Sequence, residues 1–237
     1  MQNIIAIFKR EFKGYFNSTI AYIFITVFLV LTGWLFFRSF FIINQADMRG
    51  FFAILPWIFL FFVPAITMRL WAEEKKLGTL EILMTLPVKD HEVIFGKFLA
   101  SYAFLAVTIL LSLPLPITIL YLGTPDKGPI IGGYIGTLLM GGAFLAIGLF
   151  VSSLTENQIV AFIVAVIISF GLLIIGEQFV LFSLPNWLVP LFSYLGLGSH
   201  FSDIGRGVVD SRDIIYYLSV ILFFIFLNMR TLEGRRW

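Results

Sequence analysis

Apolar positions in this chain come in long, nearly uncharged blocks, not in the alternating or one-sided patterns of a water-soluble fold. The blocks cover 14–37, 50–68, 98–125, 128–156, 157–176 and 214–229, and the fourth is charged only at Glu156. A membrane-crossing helix needs about 20 mostly apolar residues, with a range of roughly 17–25. The pattern therefore predicts six spanning helices. The last block is short, but Asp213 and Arg230 at its ends can snorkel and let it cross. The first is too long for the apolar core of a signal peptide and lacks a small-residue cleavage site, so it is read as a span.

Finer patterning adds four features. Ahead of the first span, Ile4, Phe8, Phe12 and Phe16 recur every four residues, with Lys9, Arg10 and Lys13 off that stripe. Such a helix over 1–17 suits the headgroup layer, although a plain extension of the first span fits the same residues. Pro56 and Pro64 in the second span, and Pro114 and Pro116 in the third, each remove a backbone donor and should kink their helices. The fourth span carries Gly132, Gly133, Gly136, Gly141, Gly142 and Gly148. Gly132 and Gly136 make a small face that admits a close neighbour, either within the chain or across a subunit boundary. In the stretch 179–212, Leu181, Leu184, Trp187, Leu188, Val189, Leu191 and Phe192 are too apolar for a watery loop, while Pro185 and Pro190 spoil a span. An interfacial or re-entrant hairpin before the last span is expected there, as a gate or as a structural lid.

Composition agrees with lipid as the solvent: 59% of residues are hydrophobic, 13% are charged and the mean hydropathy is +0.99. A soluble domain carries about 25% charge. With six spans and both termini on one face, that face carries Lys9, Arg10, Lys13, Arg69, Lys75, Lys76, Lys89, Lys97, Arg230, Arg235 and Arg236. The other carries Arg38, Arg49, Lys127, Arg206 and Arg212. The excess of cations on the terminal face puts both termini in the cytoplasm of a bacterial inner membrane. A net charge of +2 without a basic soluble face gives no nucleic-acid footprint.

Chemistry is mostly missing. There is no cysteine, hence no disulfide or thiolate metal site. No phosphate-binding G-x-x-x-x-G-K-[ST] occurs; Gly96-Lys97 has His91 where its first glycine belongs. His91 and His200 fall on opposite faces, and no serine, histidine and acid converge, so neither a metal centre nor a catalytic site is expected. The spans hold almost no titratable group, with Glu177 only at an outer end, which weighs against ion coupling. Energy is expected from a partner.

The segment 69–94 is the obvious place to receive it. Gly78 can end one short helix, Thr79 can cap the next with Glu81 in its first turn, and Pro87 stops it. The product is two short helices at a bend, one charged and one carrying Leu80, Leu83, Met84 and Leu86. A docking surface for a soluble partner and a plain solvated return loop both fit the residues.

The stretch from Glu73-Glu74 through Gly78-Thr79, Glu81, Thr85 and Pro87 resembles the cytoplasmic signature of ABC-2 type permeases. Residues 152–158, with Ser153, Thr155, Glu156 and Asn157, resemble that family's other inner loop. The stretch 199–213 and the ending with Leu232, Glu233, Arg235, Arg236 and Trp237 are similar as well. Together they are most similar to the permease of gliding-motility-type transporters. The resemblance implies a single all-α membrane domain over 1–237 with six spans, an elbow helix and an outer hairpin. It implies a coupling set of Glu73, Glu74, Gly78, Thr79, Glu81, Pro87, Ser153, Thr155, Glu156 and Asn157. ATP and Mg would be bound by a cytoplasmic ABC ATPase and none by this chain. A second permease copy or related membrane subunit, and an auxiliary membrane protein with a periplasmic domain, are further implied partners. Export by alternating access is the expected activity, and a non-transporting scaffold that recruits the ATPase is the rival. Near the outer face, Arg206, Asp210, Arg212 and Asp213, with His200 beside them, would form an ion-pair cluster ordering the last span; solvated, snorkelling charges fit equally.

Overall fold

The computed structural model describes residues 2–43, 47–85, 87–208 and 210–234. Among them every regular element is a helix. In chain order these are α1 (Gln2–Asn17), α2 (Thr19–Ile43), α3 (Arg49–Thr67), α4 (Arg69–Lys76), α5 (Thr79–Thr85), α6 (Asp90–Leu110), α7 (Pro114–Leu122), α8 (Lys127–Ser152), α9 (Gln158–Ile174), α10 (Gln178–Leu181), α11 (Val189–Leu195), α12 (Leu197–Gly205) and α13 (Ser211–Glu233). Leu86, Val209, Arg235, Arg236 and Trp237, and the side chains of Leu83 and Met84, lie outside the described residues.

Each of the six apolar blocks is helical, the third as two helices, α6 and α7. Among the described residues five stretches are long and apolar enough to cross a membrane: 19–42, 49–76, 90–122, 127–152 and 211–233. The fifth block forms α9, which has 17 residues. At 1.5 Å per residue it is about 26 Å long, short of a hydrocarbon core of about 30 Å.

The first two helices are separate. Asn17 ends α1, and Ser18 accepts a bond from the Ile20 amide at 3.3 Å as α2 begins. The phenylalanine stripe of α1 packs on α6: Tyr15 and Phe104 stack at 4.8 Å, and Phe16 meets Phe104 edge-on. Neither Pro56 nor Pro64 ends α3, which runs on to Thr67. The third run breaks ahead of Pro114, which sits at the first position of α7, where a missing N–H costs nothing.

The core is built around α8, whose glycines receive side chains from several neighbours. A Cβ at Gly133 would lie 2.3 Å from the Phe52 ring of α3, and one at Gly148 2.0 Å from Thr67 Oγ1. Gly141 receives Leu105 and Phe59, and Gly142 receives Ile221 and Tyr102. The small face of Gly132 and Gly136 is filled from inside the chain: a Cβ at Gly132 would lie 2.6 Å from the Ile204 carbonyl oxygen of α12.

The segment 179–212 is three short helices. Phe179, Phe182, Trp187, Leu191 and Tyr194 are exposed, while α12 buries Leu197, Phe201 and Ile204 against α8. Gly176 and Gly196 cross so closely that a Cβ on Gly196 would sit 2.5 Å from the Gly176 Cα. Gly207, at φ +90°, then turns the chain toward α13. The bundle thus has a near end, bearing α1, α4, α5 and the 152–158 turn, and a far end, bearing α10 to α12.

Candidate functional site

Lys97 is the centre of the near end. Its side chain is 2% exposed, although it stands two turns into α6. Its Nζ donates to Glu74 Oε1 at 2.8 Å and the Leu70 carbonyl at 3.1 Å, both in α4, and to Glu11 Oε1 of α1 at 3.3 Å. An ammonium has three protons, so this set uses all of them. The same nitrogen lies 5.0 Å from the centre of the buried Trp71 ring. Gly96 makes the arrangement possible, since a Cβ there would lie 2.6 Å from Ile7 Cγ2 of α1. The glycine admits the elbow helix, and the lysine ties it to α4. Buried charge persists only where it is paired, and here two carboxylates pair it.

A second fastening holds the α3–α4 junction. The helix break at Met68 leaves backbone groups without intrahelical partners. Ser152 at the end of α8 meets them with one hydroxyl. Its Oγ donates to the Met68 carbonyl at 2.9 Å and accepts from the Trp71 and Ala72 amides at 3.1 and 3.2 Å. Lys75 Nζ donates to the Ser153 carbonyl. Arg69 lies over the Tyr15 ring at 5.1 Å. Burial pushes the Tyr15 hydroxyl well above the ordinary phenol range, with the Arg69 guanidinium opposing. Helix α4 is thereby bound to α1, α6 and α8.

The coupling residues expected from sequence divide around this anchor. Glu73 and Glu81 are exposed, whereas Glu74 turns inward to Lys97, with its second oxygen buried and unpartnered. Gly78, at φ +69°, ends α4. The Thr79 hydroxyl donates back to the Glu74 carbonyl at 3.2 Å. Pro87 is exposed between α5 and α6. In the other loop, Thr155 Oγ1 accepts from the Asn157 amide and Asn157 Oδ1 caps α9 through the Ile159 amide, while Glu156 is exposed. The two inner segments meet through Ser152 and Ser153. A cleft of about 480 Å³, lined by Arg10, Glu11, Arg69, Glu73, Glu74 and Lys97 among others, opens beside them.

The far-end cluster takes another form. No ion pair among the described residues joins Arg206, Asp210 and Arg212, all of which are exposed. Asp210 caps α13 through the Arg212 amide at 3.0 Å. Asp213 instead is buried against His200, Oδ1 to Nδ1 at 2.6 Å, and His200 Nε2 faces the Tyr194 carbonyl at 2.9 Å. Both ring nitrogens thus lie within hydrogen-bond distance of an oxygen. Tyr216 stacks on the imidazole at 3.9 Å, and Tyr217 donates to the Leu197 carbonyl at 2.7 Å. This polar knot fastens α11 and α12 to α13. Among the described residues no cluster of three or more His, Asp or Glu could hold a metal.

A family profile described as "ABC-2 family transporter protein" matches residues 39–201. The chain belongs to the ABC-2 transporter family. The match runs from the end of α2 into α12 and so includes both inner segments, while α1 and α13 lie outside it. No curated protein matches the chain. As an ABC-2 family member it is a multi-pass membrane permease component of an ABC transporter, a subunit type that works with a cytoplasmic ATPase. In this ABC-2 chain two residues organise the near end: Lys97, which lies in neither inner motif, and Ser152, which opens the second motif but stands outside the coupling set it implies. Lys97 had a visible signal: a lone cation at the edge of an apolar block, directly after a glycine.

Proposed function

We propose that this chain is the membrane half of an ATP-driven exporter working by alternating access. In this reading α9 crosses the bilayer together with the five longer stretches, giving six spans in a bacterial inner membrane with the near end cytoplasmic. Residues 178–205 form the outer hairpin, in part re-entrant. The exposed faces of α4 and α5, with Glu73, Glu81 and Pro87, meet the partner ATPase, which binds ATP and Mg. The turn with Ser153, Thr155, Glu156 and Asn157 supports them. A second copy or a related subunit completes the membrane part, and an auxiliary membrane protein with a periplasmic domain joins it. A role in gliding motility follows from the sequence resemblance alone.

One observation carries the coupling role: α4 is fastened at Lys97, Ser152 and the Ser153 carbonyl to α6 and α8. A partner that displaces α4 must load the bundle, because the loop has no slack to absorb the motion. Such a partner shifts the equilibrium only through contacts that differ between its two states.

The test is ATP turnover of the complex purified from native membranes and reconstituted, with Glu73→Ala, Glu81→Ala beside wild type. Glu74 is left intact, since its loss would disturb Lys97 and blur docking with folding. A co-purified ATPase whose turnover falls several-fold in the double variant supports the reading. An ATPase indifferent to both substitutions favours a scaffold.

A further inference from the structure

A second cavity, about 280 Å³, lies at the far end between α3, α9 and α12. Its walls include Phe52, Ala53, Pro56, Trp57, Leu173 and Phe201. Three charged residues also line it: Arg49, which opens α3; Arg206, which follows α12; and Glu177, which precedes α10. Pro56 and Trp57 stand about two turns, roughly 10 Å, deeper along α3 than Arg49. The cavity is thus charged toward the far end and greasy below, and half of the Trp57 surface is open (48% exposed).

Neither cation is committed elsewhere by a strong bond. Arg49 pairs with Asp47 at 3.5 Å, but its side chain is 63% exposed, and such pairs contribute little. Arg206 and Glu177 make no ion pair among the described residues. The mixture of signs selects the ligand. A simple anion would face the Glu177 carboxylate, and a simple cation would face two guanidiniums. A phosphate joined to a primary ammonium answers both, because guanidinium binds phosphate oxygens and an ammonium donates to a carboxylate. The apolar walls call for a hydrocarbon chain on the same molecule. Taking about 30 Å³ for a water-sized group, the cavity holds roughly nine such groups, a phosphate with its ethanolamine and the start of the chain that follows.

We propose that this cavity binds a phospholipid with an ethanolamine-type headgroup. The phosphate lies on Arg49 and Arg206, the ammonium on Glu177, and one acyl chain enters between Trp57 and Phe201. The site stands whether or not the chain transports this lipid, so its fate is separate from that of the exporter reading.

Trp57 reports on it. The full chain is reconstituted in phosphatidylcholine bilayers doped with an equal minor fraction of chain-brominated phosphatidylethanolamine, phosphatidylglycerol or phosphatidylcholine. Quenching assigned to Trp57 is the difference between wild type and Trp57→Phe. The expected result is a threefold to fivefold preference for phosphatidylethanolamine over the other two, about the effect of one partly exposed ion pair. Glu177→Gln should remove the preference over both other lipids, and Arg49→Gln with Arg206→Gln should lower Trp57 quenching by all three, since each carries a phosphate. Equal quenching by all three lipids in wild type overturns the proposal without recourse to any charge variant. So does the absence of Trp57 quenching, which indicates a protein surface over the cavity, or loss of the preference on adding inorganic phosphate, which indicates a free-anion site.

Discussion

Replacing Lys97 by methionine tests the near-end anchor most directly. Methionine keeps much of the stem that packs beside Trp71 but removes the ammonium. Glu74 and Glu11, with side chains 16% and 19% exposed, are left facing each other without a cation. Breaking a fully buried pair from one side costs about 3–5 kcal/mol. The carboxylates here retain some water, so about 2–3 kcal/mol is the reasoned loss. For a chain of this length, 1 kcal/mol corresponds to roughly 2–4 °C in Tm, which places the shift near 5–10 °C. Glu74→Gln and Glu11→Gln added to Lys97→Met remove the stranded charges, and stability should return to within about 1 kcal/mol of wild type, as when whole buried ion pairs are replaced. The measurement is thermal unfolding in mild detergent, followed by tryptophan fluorescence and by the monodisperse fraction on gel filtration. An unchanged Tm for Lys97→Met, or a triple variant no more stable than the single, refutes the argument that charge pairing holds α1 and α4 together.

Three other outcomes follow from the geometry. Gly132→Ala sets a methyl group against the Ile204 carbonyl, a backbone atom that cannot turn aside, and should cost about 1–3 kcal/mol; Gly33→Ala, with nothing within 4 Å, should cost none. Thermal unfolding of the two variants compares them. His200→Ala strands the buried Asp213 carboxylate and should free the α11–α12 segment, seen as faster tryptic cleavage at the exposed Arg206, while cleavage at the wild-type rate would dismiss the knot as a restraint. The Arg212 amide donates to the Asp210 carboxylate and lowers its pKa. Its contribution to the start of α13 is therefore present above the unfolded carboxylate value and lost as pH falls through the lower folded one. Asp210→Asn should keep the cap and abolish this acid dependence of amide exchange at the start of α13.

How much of this was legible depended on the distance over which each signal acts. The six apolar blocks and the four-residue stripe of α1 are local, and each marks a helix. The stop at Gly78 was legible for the same reason, because a positive φ is a demand on one residue. The junction at Met68 was not: a break there is stable only because Ser152, far along the chain, satisfies the freed backbone groups. Gly96-Lys97 resembles no complete phosphate motif, and its meaning lies in Ile7, Glu11 and Glu74, residues far off in the sequence. At the far end, charges close in sequence suggested pairing among Arg206, Asp210, Arg212 and Asp213. The chain reversal at Gly207 brings Asp213 to His200 instead, and the stacked Tyr216 shields that pair as no exposed arginine would.

The glycines of α8 have a mechanical consequence. Phe52, Leu105, Ile221, Thr67 and Ile204 come from several helices, and each packs into a notch where an added methyl group would meet it at 3.0 Å or less. Sliding any of those helices along α8 by a single residue, about 1.5 Å, would drive its key out of its notch against neighbouring side chains. The helix is a keyed shaft: axial slip is resisted, and tilting of the keyed set as one lever is the easier movement. Under the coupling proposed above, force applied at α4 would reach α12 as a change of angle instead of a change of length.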